Sequence, residues 1–111
     1  MNQYRTHTCG QLRVENVNET VTIAGWIHRK RTLGSLCFID LRDHYGITQC
    51  VLDSSSDLFD KIKDIRVESV IGVTGKVVKR ESVNPNMPTG DIEIAVEAIE
   101  VHSTAEVLPF Q

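Results

Sequence analysis

Apolar and polar residues alternate in several short segments of this chain, which predicts strands rather than long helices. From Thr20 onward, the run Val21–Ile27 is rich in β-branched residues, and its apolar side chains recur at every second position. Gly25 interrupts the run and predicts a bulge or sharp bend, which a small barrel needs where a strand turns. A turn at residues 32–35 ends this first strand.

The second predicted strand, Leu36–Arg42, alternates most strictly. One face carries apolar side chains and the other carries Phe38 between polar neighbours. A lone apolar residue on a polar face is common, but an exposed ring can also stack on an unpaired base. After a turn at residues 43–46, Ile47–Leu52 forms a third strand, and its pattern leaves the inward face undecided because apolar residues occupy both faces.

The period then changes to a helical one. Ser54–Asp57 offers an N-cap, with Asp57 well placed for the helix dipole. Leu58, Ile62 and Ile65 follow on one helical face, which predicts a helix of about three turns.

Strand character returns at Val70–Val78, and residues 81–90 read as a loop because they are rich in Pro, Asn and Gly. The last strand alternates from Ile92 to Val96, and its phase slips near Ala98.

Five strands with one helix between the third and fourth predict an all-β OB-fold, a Greek-key barrel that binds oligonucleotides on the face of its second and third strands. An SH3-like barrel or a small open α+β sheet would place a helix there less naturally. With 111 residues, the chain suffices for one domain.

Composition narrows the classes of function. A net charge of −3 disfavours a general polyanion binder, although Arg29, Lys30 and Arg31 form a local cationic cluster. No apolar run approaches the roughly 20 residues of a membrane span, and no signal peptide is apparent, so we expect no membrane association and a cytoplasmic location. Three cysteines without CxxC spacing predict buried free thiols and no metal site.

The candidate chemistry is that of RNA recognition. Arg29 and Arg31 carry planar forks that suit phosphates or base edges better than the point charge of Lys30, unless the cluster is only a solvated strand end. Gln49 can donate to and accept from a base edge, or simply bond backbone at the rim. Glu93 can accept from the two adjacent donors of guanine, or be a plain surface glutamate. No nucleophile elbow, P-loop, dinucleotide turn or HExxH motif occurs, so we assign no catalytic residue.

Several segments together resemble the N-terminal domain of bacterial-type aspartyl-tRNA synthetases. They are Cys9-Gly10-Gln11-Leu12-Arg13, Gly25-Trp26-Ile27-His28-Arg29-Lys30-Arg31-Thr32-Leu33-Gly34, Phe38-Ile39-Asp40-Leu41-Arg42-Asp43, Gly46-Ile47-Thr48-Gln49 and Thr89-Gly90-Asp91-Ile92-Glu93. The resemblance covers nearly the whole chain and implies an OB-fold that binds the anticodon stem-loop of tRNA-Asp, with tRNA-Asn as a second candidate.

The resemblance also implies roles for single residues. Phe38 would stack on the central anticodon uridine, Gln49 would read that base, and Glu93 would face the first base, a guanine or its queuine derivative. Arg29 and Arg31 would contact the loop, including its third base. Four further positions follow from the family. Arg80 and Asn84 fall in a loop that closes over the anticodon, and Lys30 and Leu33 fall where the choice between the two tRNAs is made.

The parent enzyme implied by the resemblance uses ATP and Mg²⁺ to join aspartate to tRNA on a class II catalytic domain and is a homodimer. We therefore expect residues 1–105 to be the anticodon-binding domain, without cofactor and monomeric in isolation, and residues 106–111 to begin a hinge. A free-standing binder of single-stranded DNA on the same barrel, or a protein–protein adaptor anchored by Phe38 and Trp26, are the competing hypotheses.

Overall fold

The computed structural model describes residues 6–80, 83–86 and 89–103, and its architecture is a small barrel. The elements are β1 (Thr20–Leu33), β2 (Leu36–Asp43), β3 (Gly46–Asp53), α1 (Leu58–Asp64), β4 (Val70–Lys79) and β5 (Ile92–Ser103), preceded by a 3-10 turn at Val14–Asn16. Five strands with a helix between β3 and β4 confirm the predicted order. The predicted hinge at residues 106–111, and the domain end at residue 105, lie outside the described residues.

The strands close into one ring in the order β1-β2-β3-β5-β4, with β4 pairing back onto β1. The β3–β5 pair is parallel and the other four pairs are antiparallel. A closed five-stranded ring with this connectivity is the OB-fold barrel, and closure excludes the open α+β sheet.

The barrel interior is filled by alternate side chains of each strand. In β2 the apolar face predicted from alternation, with Ile39 and Leu41, is fully buried. In β3 the structure settles the undecided face, because Thr48, Cys50 and Leu52 point inward. Gln49 and its outward neighbours are thereby left on the outer surface of the barrel.

Helix α1 is shorter than predicted, about two turns rather than three. Asp57 does not cap it, because its φ of −61° and ψ of −21° are already helical and its side chain makes no capping bond. The Leu58 N–H instead donates to Ser56 Oγ at 3.1 Å. The predicted apolar face is confirmed, because Ile62 and Ile65 are buried and Leu58 packs against the core, and buried Phe59 widens that face.

The bulge predicted at Gly25 is found three residues later. Ile27 pairs with Leu41 and Arg29 pairs with Asp40, so His28 is the extra residue. Gly25 has another reason to lack a side chain, since a Cβ there would lie 2.2 Å from the carbonyl oxygen of Arg42.

A second bulge confirms the phase slip predicted near Ala98. Thr74 pairs with Ala98 and Gly75 with Val96, which leaves Glu97 unpaired in the register. Strand β5 can therefore place Ile94 and Ile99, which differ in parity, in the same core.

All three cysteines are free and buried, as predicted. Burial raises the pKa of the Cys37 thiol, and complete burial raises the pKa of Cys50 far above its usual value. Among the described residues, no helix is long and apolar enough to span a bilayer.

Candidate nucleic-acid interface

The strand register decides which side chains meet on the outer surface of β1, β2 and β3. Phe38 lies opposite Arg31 on one side and Val51 on the other, because directly paired residues of antiparallel strands share a face. Asp40 likewise lies opposite Gln49. Arg31, Phe38, Gln49 and Val51 border an open cleft of about 590 Å³, here called the outer cleft. It is lined by Arg31, Leu33, Leu36, Phe38, Gln49, Val51, Lys79, Arg80 and Glu93.

Phe38 is half-buried on the outer surface and takes no part in the barrel core. Its sequence neighbours Cys37 and Ile39 point inward, as strand alternation requires. The guanidinium carbon of Arg31 lies 5.5 Å from the ring centroid, within range of a cation–π contact. The ring is therefore held in place beside a cation and still reaches the cleft.

A chain of hydrogen bonds crosses the cleft from β1 to β5. Arg31 Nη2 donates to Gln49 Oε1 at 3.1 Å, and Gln49 Nε2 donates to Glu93 Oε1 at 2.7 Å. Gln49 is only 5% exposed. Because the cation takes its oxygen and the carboxylate takes its nitrogen, the amide has one orientation.

The cationic cluster predicted from sequence is divided between two sides of β1. The bulge at His28 reverses the alternation, so Arg29 and Arg31 share a face with Asp40 and Phe38, while Lys30 pairs with Ile39 on the other face. The Lys30 ammonium donates to the carbonyl oxygens of three residues at the end of α1, and these are Ile62 at 3.0 Å, Lys63 at 3.2 Å and Ile65. Lys30 thus satisfies the carbonyl end of the helix.

The remaining predicted residues lie at the rim or beyond it. Leu33, 60% exposed, and Arg80 line the cleft. Asn84 does not line the cleft. Its N–H donates to the Gly90 carbonyl at 3.0 Å, and its Oδ1 accepts from the Asn86 N–H at 3.0 Å. The structure therefore brings six predicted residues together and leaves three outside. The six are Arg31, Leu33, Phe38, Gln49, Arg80 and Glu93, and the three are Arg29, Lys30 and Asn84.

The profile of the tRNA anti-codon family, described as OB-fold nucleic acid binding domain, matches residues 21–101. The chain belongs to this family. The match includes part or all of every strand of the barrel, and all five strands contribute to the lining of the outer cleft.

This OB-fold nucleic acid binding domain is also similar to parts of longer proteins. It is 58% identical over 113 residues to the aspartate–tRNA(Asp/Asn) ligase of Gluconobacter oxydans, covering 100% of this chain and 19% of that protein. It is 56% identical over 113 residues to the ligase of the same name from Paramagnetospirillum magneticum, covering 100% of this chain and 13% of that protein. The chain thus spans less than a fifth of these relatives.

Among solved structures, asparaginyl-tRNA synthetase from Pyrococcus horikoshii, complexed with asparaginyl-adenylate, is similar to this OB-fold domain. The TM-score is 0.78 with 29% sequence identity, over 95% of this chain and 24% of that one. The similarity extends the match from sequence to three-dimensional architecture.

Four residues of the OB-fold domain's outer surface were not singled out from the sequence. Leu36, Val51 and Lys79 line the cleft, and Asp40 lies beside it, 4.0 Å from Arg31. Leu36 and Val51 have the same strand parity as Phe38 and Gln49, so alternation could have indicated both once the face of β3 was known. Asp40 shares the parity of Phe38 on β2, so alternation also indicated its face, whereas Lys79 carried no such signal because only the barrel brings the end of β4 to the cleft.

Charge in the outer cleft is opposite to that of the whole chain. Arg31, Lys79 and Arg80 outnumber Glu93 and the adjacent Asp40, although the chain carries a net charge of −3. Such a local positive excess suits a short polyanion that fits the cleft and not polyanions in general.

Proposed function

We propose that this chain is the anticodon-binding domain of an aspartate–tRNA ligase and that the outer cleft holds the unpaired anticodon bases. Three observations support the proposal: the family to which the chain belongs, its identity of 56–58% to two aspartate–tRNA(Asp/Asn) ligases, and the chemistry of the cleft. Membership of a nucleic-acid-binding family also disfavours the protein–protein adaptor.

The observation that carries the proposal is the Phe38 ring, half-buried and fixed at the cleft beside Arg31. A flat ring next to a cation offers stacking to a base and attraction to its phosphate. Gln49 is oriented at the same place, where it can recognise the edge of the stacked base. We assign Phe38 to the central anticodon uridine and Gln49 to the reading of that base.

Glu93 stands at the far end of the same chain of bonds. One carboxylate oxygen accepts from Gln49 Nε2, and the carboxylate has further lone pairs for the adjacent donors of a guanine. We therefore assign Glu93 to the first anticodon base. Under this assignment, the groups that read two adjacent bases would lie side by side.

The basic residues are assigned by position. We expect Arg31 and Arg80 at the cleft, and Arg29 on the outer surface of β1, to contact the anticodon loop, with the arginines of β1 nearest the third base. Asn84 would act by shaping the loop that follows β4. Leu33 is exposed at the cleft and suits a role in tRNA choice, whereas Lys30 would influence that choice through the placement of α1 and β1.

The rest of the enzyme is part of this proposal. The relatives are five or more times longer than this chain, so residues 1–105 would form the anticodon domain and residues 106–111 would lead toward a class II catalytic domain. That domain would use ATP and Mg²⁺ to activate aspartate and would form the homodimer. We propose a cytoplasmic enzyme and expect the isolated chain to be monomeric.

The test is a titration of the 111-residue chain with three nucleic acids at two salt concentrations. The ligands are an anticodon stem-loop with the GUC triplet, the same stem with a scrambled loop, and oligo-dT. We expect a clear preference for the GUC loop at both salt concentrations, and the ratio of dissociation constants is the quantity to compare.

Each outcome separates the competing functions. Equal affinity for all three ligands would favour the single-stranded DNA binder and contradict the proposal. Absence of binding to any ligand would favour the adaptor. A preference for the GUC loop that persists at high salt would support base reading, because phosphate contacts alone weaken together as salt rises.

The names of the relatives bear on the second tRNA. Both the Gluconobacter and Paramagnetospirillum proteins are named as ligases for tRNA-Asp and tRNA-Asn. We therefore propose that this domain accepts both anticodons, which differ only in the third base. A stem-loop with GUU should bind about as tightly as one with GUC, and a large preference for GUC would indicate strict recognition.

A further inference from the structure

We propose that Asp40 is a positioning residue, which holds Arg31 over the stacking ring and so makes the outer cleft selective for its RNA. The inference rests on the proposed function and adds a residue that need not touch RNA. Asp40 occupies the centre of the outer surface, paired with Arg29 on β1 and with Gln49 on β3.

The contacts of Arg31 show why Asp40 matters. A single nitrogen, Nη2, lies 3.1 Å from Gln49 Oε1 and 4.0 Å from Asp40 Oδ1. The Phe38 ring lies 5.5 Å from the guanidinium carbon. The guanidinium is therefore held between a carboxylate, an amide and a ring that come from β2 and β3.

The exposed fractions of the two side chains indicate which one restrains the other. The Asp40 side chain is 17% exposed and the Arg31 side chain 42% exposed. The carboxylate is thus the more sheltered partner and the arginine the one that reaches solvent. An arginine side chain loses considerable rotamer freedom when it binds, and a neighbouring carboxylate that restrains it beforehand reduces that loss.

The same carboxylate lowers the attraction of Arg31 for phosphates in general. A partly neutralised guanidinium gains less from a phosphate placed arbitrarily and keeps its directional donors for a correctly placed acceptor. Asp40 should therefore act in opposite directions on two classes of ligand: it strengthens binding of the cognate loop and weakens binding of non-cognate single strands.

The effect extends along the bonded chain. Arg31 sets the orientation of the Gln49 oxygen, and Gln49 donates to Glu93. Loss of Asp40 would leave Arg31 less restrained, and Arg31 is the first member of the chain that contains both base-reading groups, Gln49 and Glu93. We infer that the selectivity of the cleft depends on a contact between two side chains of the protein itself.

The test compares Asp40→Asn with the wild type and with Asp60→Asn, an exposed carboxylate of α1 outside the cleft. Asn keeps the shape of Asp and removes its charge, and thermal unfolding would verify that both variants fold. We expect Asp40→Asn to reduce the ratio of cognate to scrambled-loop affinity about threefold, as suits a partly exposed ion pair. Asp60→Asn should leave the ratio unchanged, and Asp40→Glu should restore part of it.

The salt dependence supplies a readout that a merely structural residue would not move. With Arg31 no longer neutralised, the scrambled loop should bind Asp40→Asn more tightly. Its plot of log affinity against log salt should steepen by up to about 0.7, the value for one added phosphate contact on a single strand.

A double-variant cycle assigns the effect to Arg31. In an Arg31→Gln background, Asp40→Asn should change neither the ratio nor the salt slope. An equal loss in that background would show that Asp40 acts by another route and would overturn the inference.

Failure of the inference and failure of the proposed function give different results. A selective wild type whose ratio and slope survive Asp40→Asn would overturn the inference and leave the anticodon assignment intact. A wild type without preference for the GUC loop would overturn both. Reduced selectivity with a steeper slope, abolished by Arg31→Gln, would support both.

Discussion

Two of the hollows on the outer surface of the barrel differ in chemistry as well as in size. The outer cleft measures about 590 Å³ and lies over β1, β2, β3 and β5, with Lys79 at the end of β4 on its edge. The second, here called the β4 hollow, measures about 330 Å³ and lies over β1, β4 and β5. Its lining consists of Thr22, Gly72, Thr74, Ala98, Ile99, Glu100 and His102.

The polar groups of the two hollows differ in their hydrogen-bond partners. In the β4 hollow, the hydroxyls of Thr22 and Thr74 bond each other at 2.8 Å, and the His102 ring lies so close to Gly72 that a Cβ there would be 3.1 Å from it. In the outer cleft, a cation, an amide and a carboxylate form a bonded chain next to a ring that reaches the cleft. A hollow forms wherever side chains are small, but recognition requires oriented groups with remaining bonding capacity.

The largest expected effect is the loss of the ring in the outer cleft. Phe38→Ala should weaken binding of the GUC stem-loop about thirtyfold, because stacking on an aromatic side chain is worth about 2 kcal/mol per base. Fluorescence titration of the labelled stem-loop measures this change. Thr74→Ala is the matched change in the β4 hollow and should leave the affinity unaltered; equal losses in both variants would erase the distinction between the hollows.

The amide in the outer cleft should have the next largest effect. Gln49→Ala removes the acceptor of Arg31 and the donor to Glu93, so we expect about a tenfold loss of affinity for the GUC loop, near 1.4 kcal/mol. The loss should be smaller when the central uridine is replaced, since the variant cannot read that base. An equal loss with every central base would contradict base reading by Gln49.

The next prediction concerns the bonded hydroxyl pair of the β4 hollow, Thr22 and Thr74. Thr22→Ala breaks the bond to Thr74 and should lower the free energy of unfolding by about 1 kcal/mol, with no change in RNA affinity. Urea denaturation measures the stability, and the same stem-loop titration measures the affinity. Weakened RNA binding in a folded Thr22→Ala variant would show that the β4 hollow belongs to the interface.

Neighbouring cations on β1 test whether charge alone distinguishes the outer cleft. Lys30→Met removes the donor to the carbonyl end of α1 and should cost about 1 kcal/mol of stability while leaving RNA affinity within about twofold. Arg31→Met should instead weaken RNA binding and leave the stability nearly unchanged. Similar binding losses in the two variants, measured beside their urea midpoints, would mean that general charge and not position governs binding.

The smallest effect concerns Asp53, a carboxylate at the end of β3 near the outer cleft that does not line it. Bonds from the Ser55 hydroxyl and N–H hold the pKa of Asp53 below its ordinary value. A lowered folded pKa stabilises the fold above the unfolded pKa, and this stabilisation is lost as pH falls through the folded pKa. The loss of unfolding free energy caused by Asp53→Ala should therefore be greatest at neutral pH and should shrink below about pH 4. Urea midpoints across that range test the sign, and RNA affinity should stay constant.

Local pattern accounts for much of what was predictable. Strict alternation in β2 placed Phe38 outward and Ile39 inward, and both placements are confirmed. Strand alternation is a property of consecutive residues, so it needs no knowledge of distant neighbours. The length of α1 and its cap were predicted less well, because the backbone at Asp57 and the burial of Phe59 follow from how the helix meets the barrel.

The sequence by itself determined the element order, the buried free cysteines, and a ring, an amide, a carboxylate and two arginines as candidates for RNA recognition. Tertiary structure decided which of them meet. Without the bulge at His28, simple alternation from Ile27 would turn Arg31 inward and Lys30 outward; the bulge exchanges them. The Arg31–Gln49–Glu93 chain joins β1, β3 and β5, so it depends on the register between strands far apart in sequence, which side-chain periodicity along a single strand does not contain.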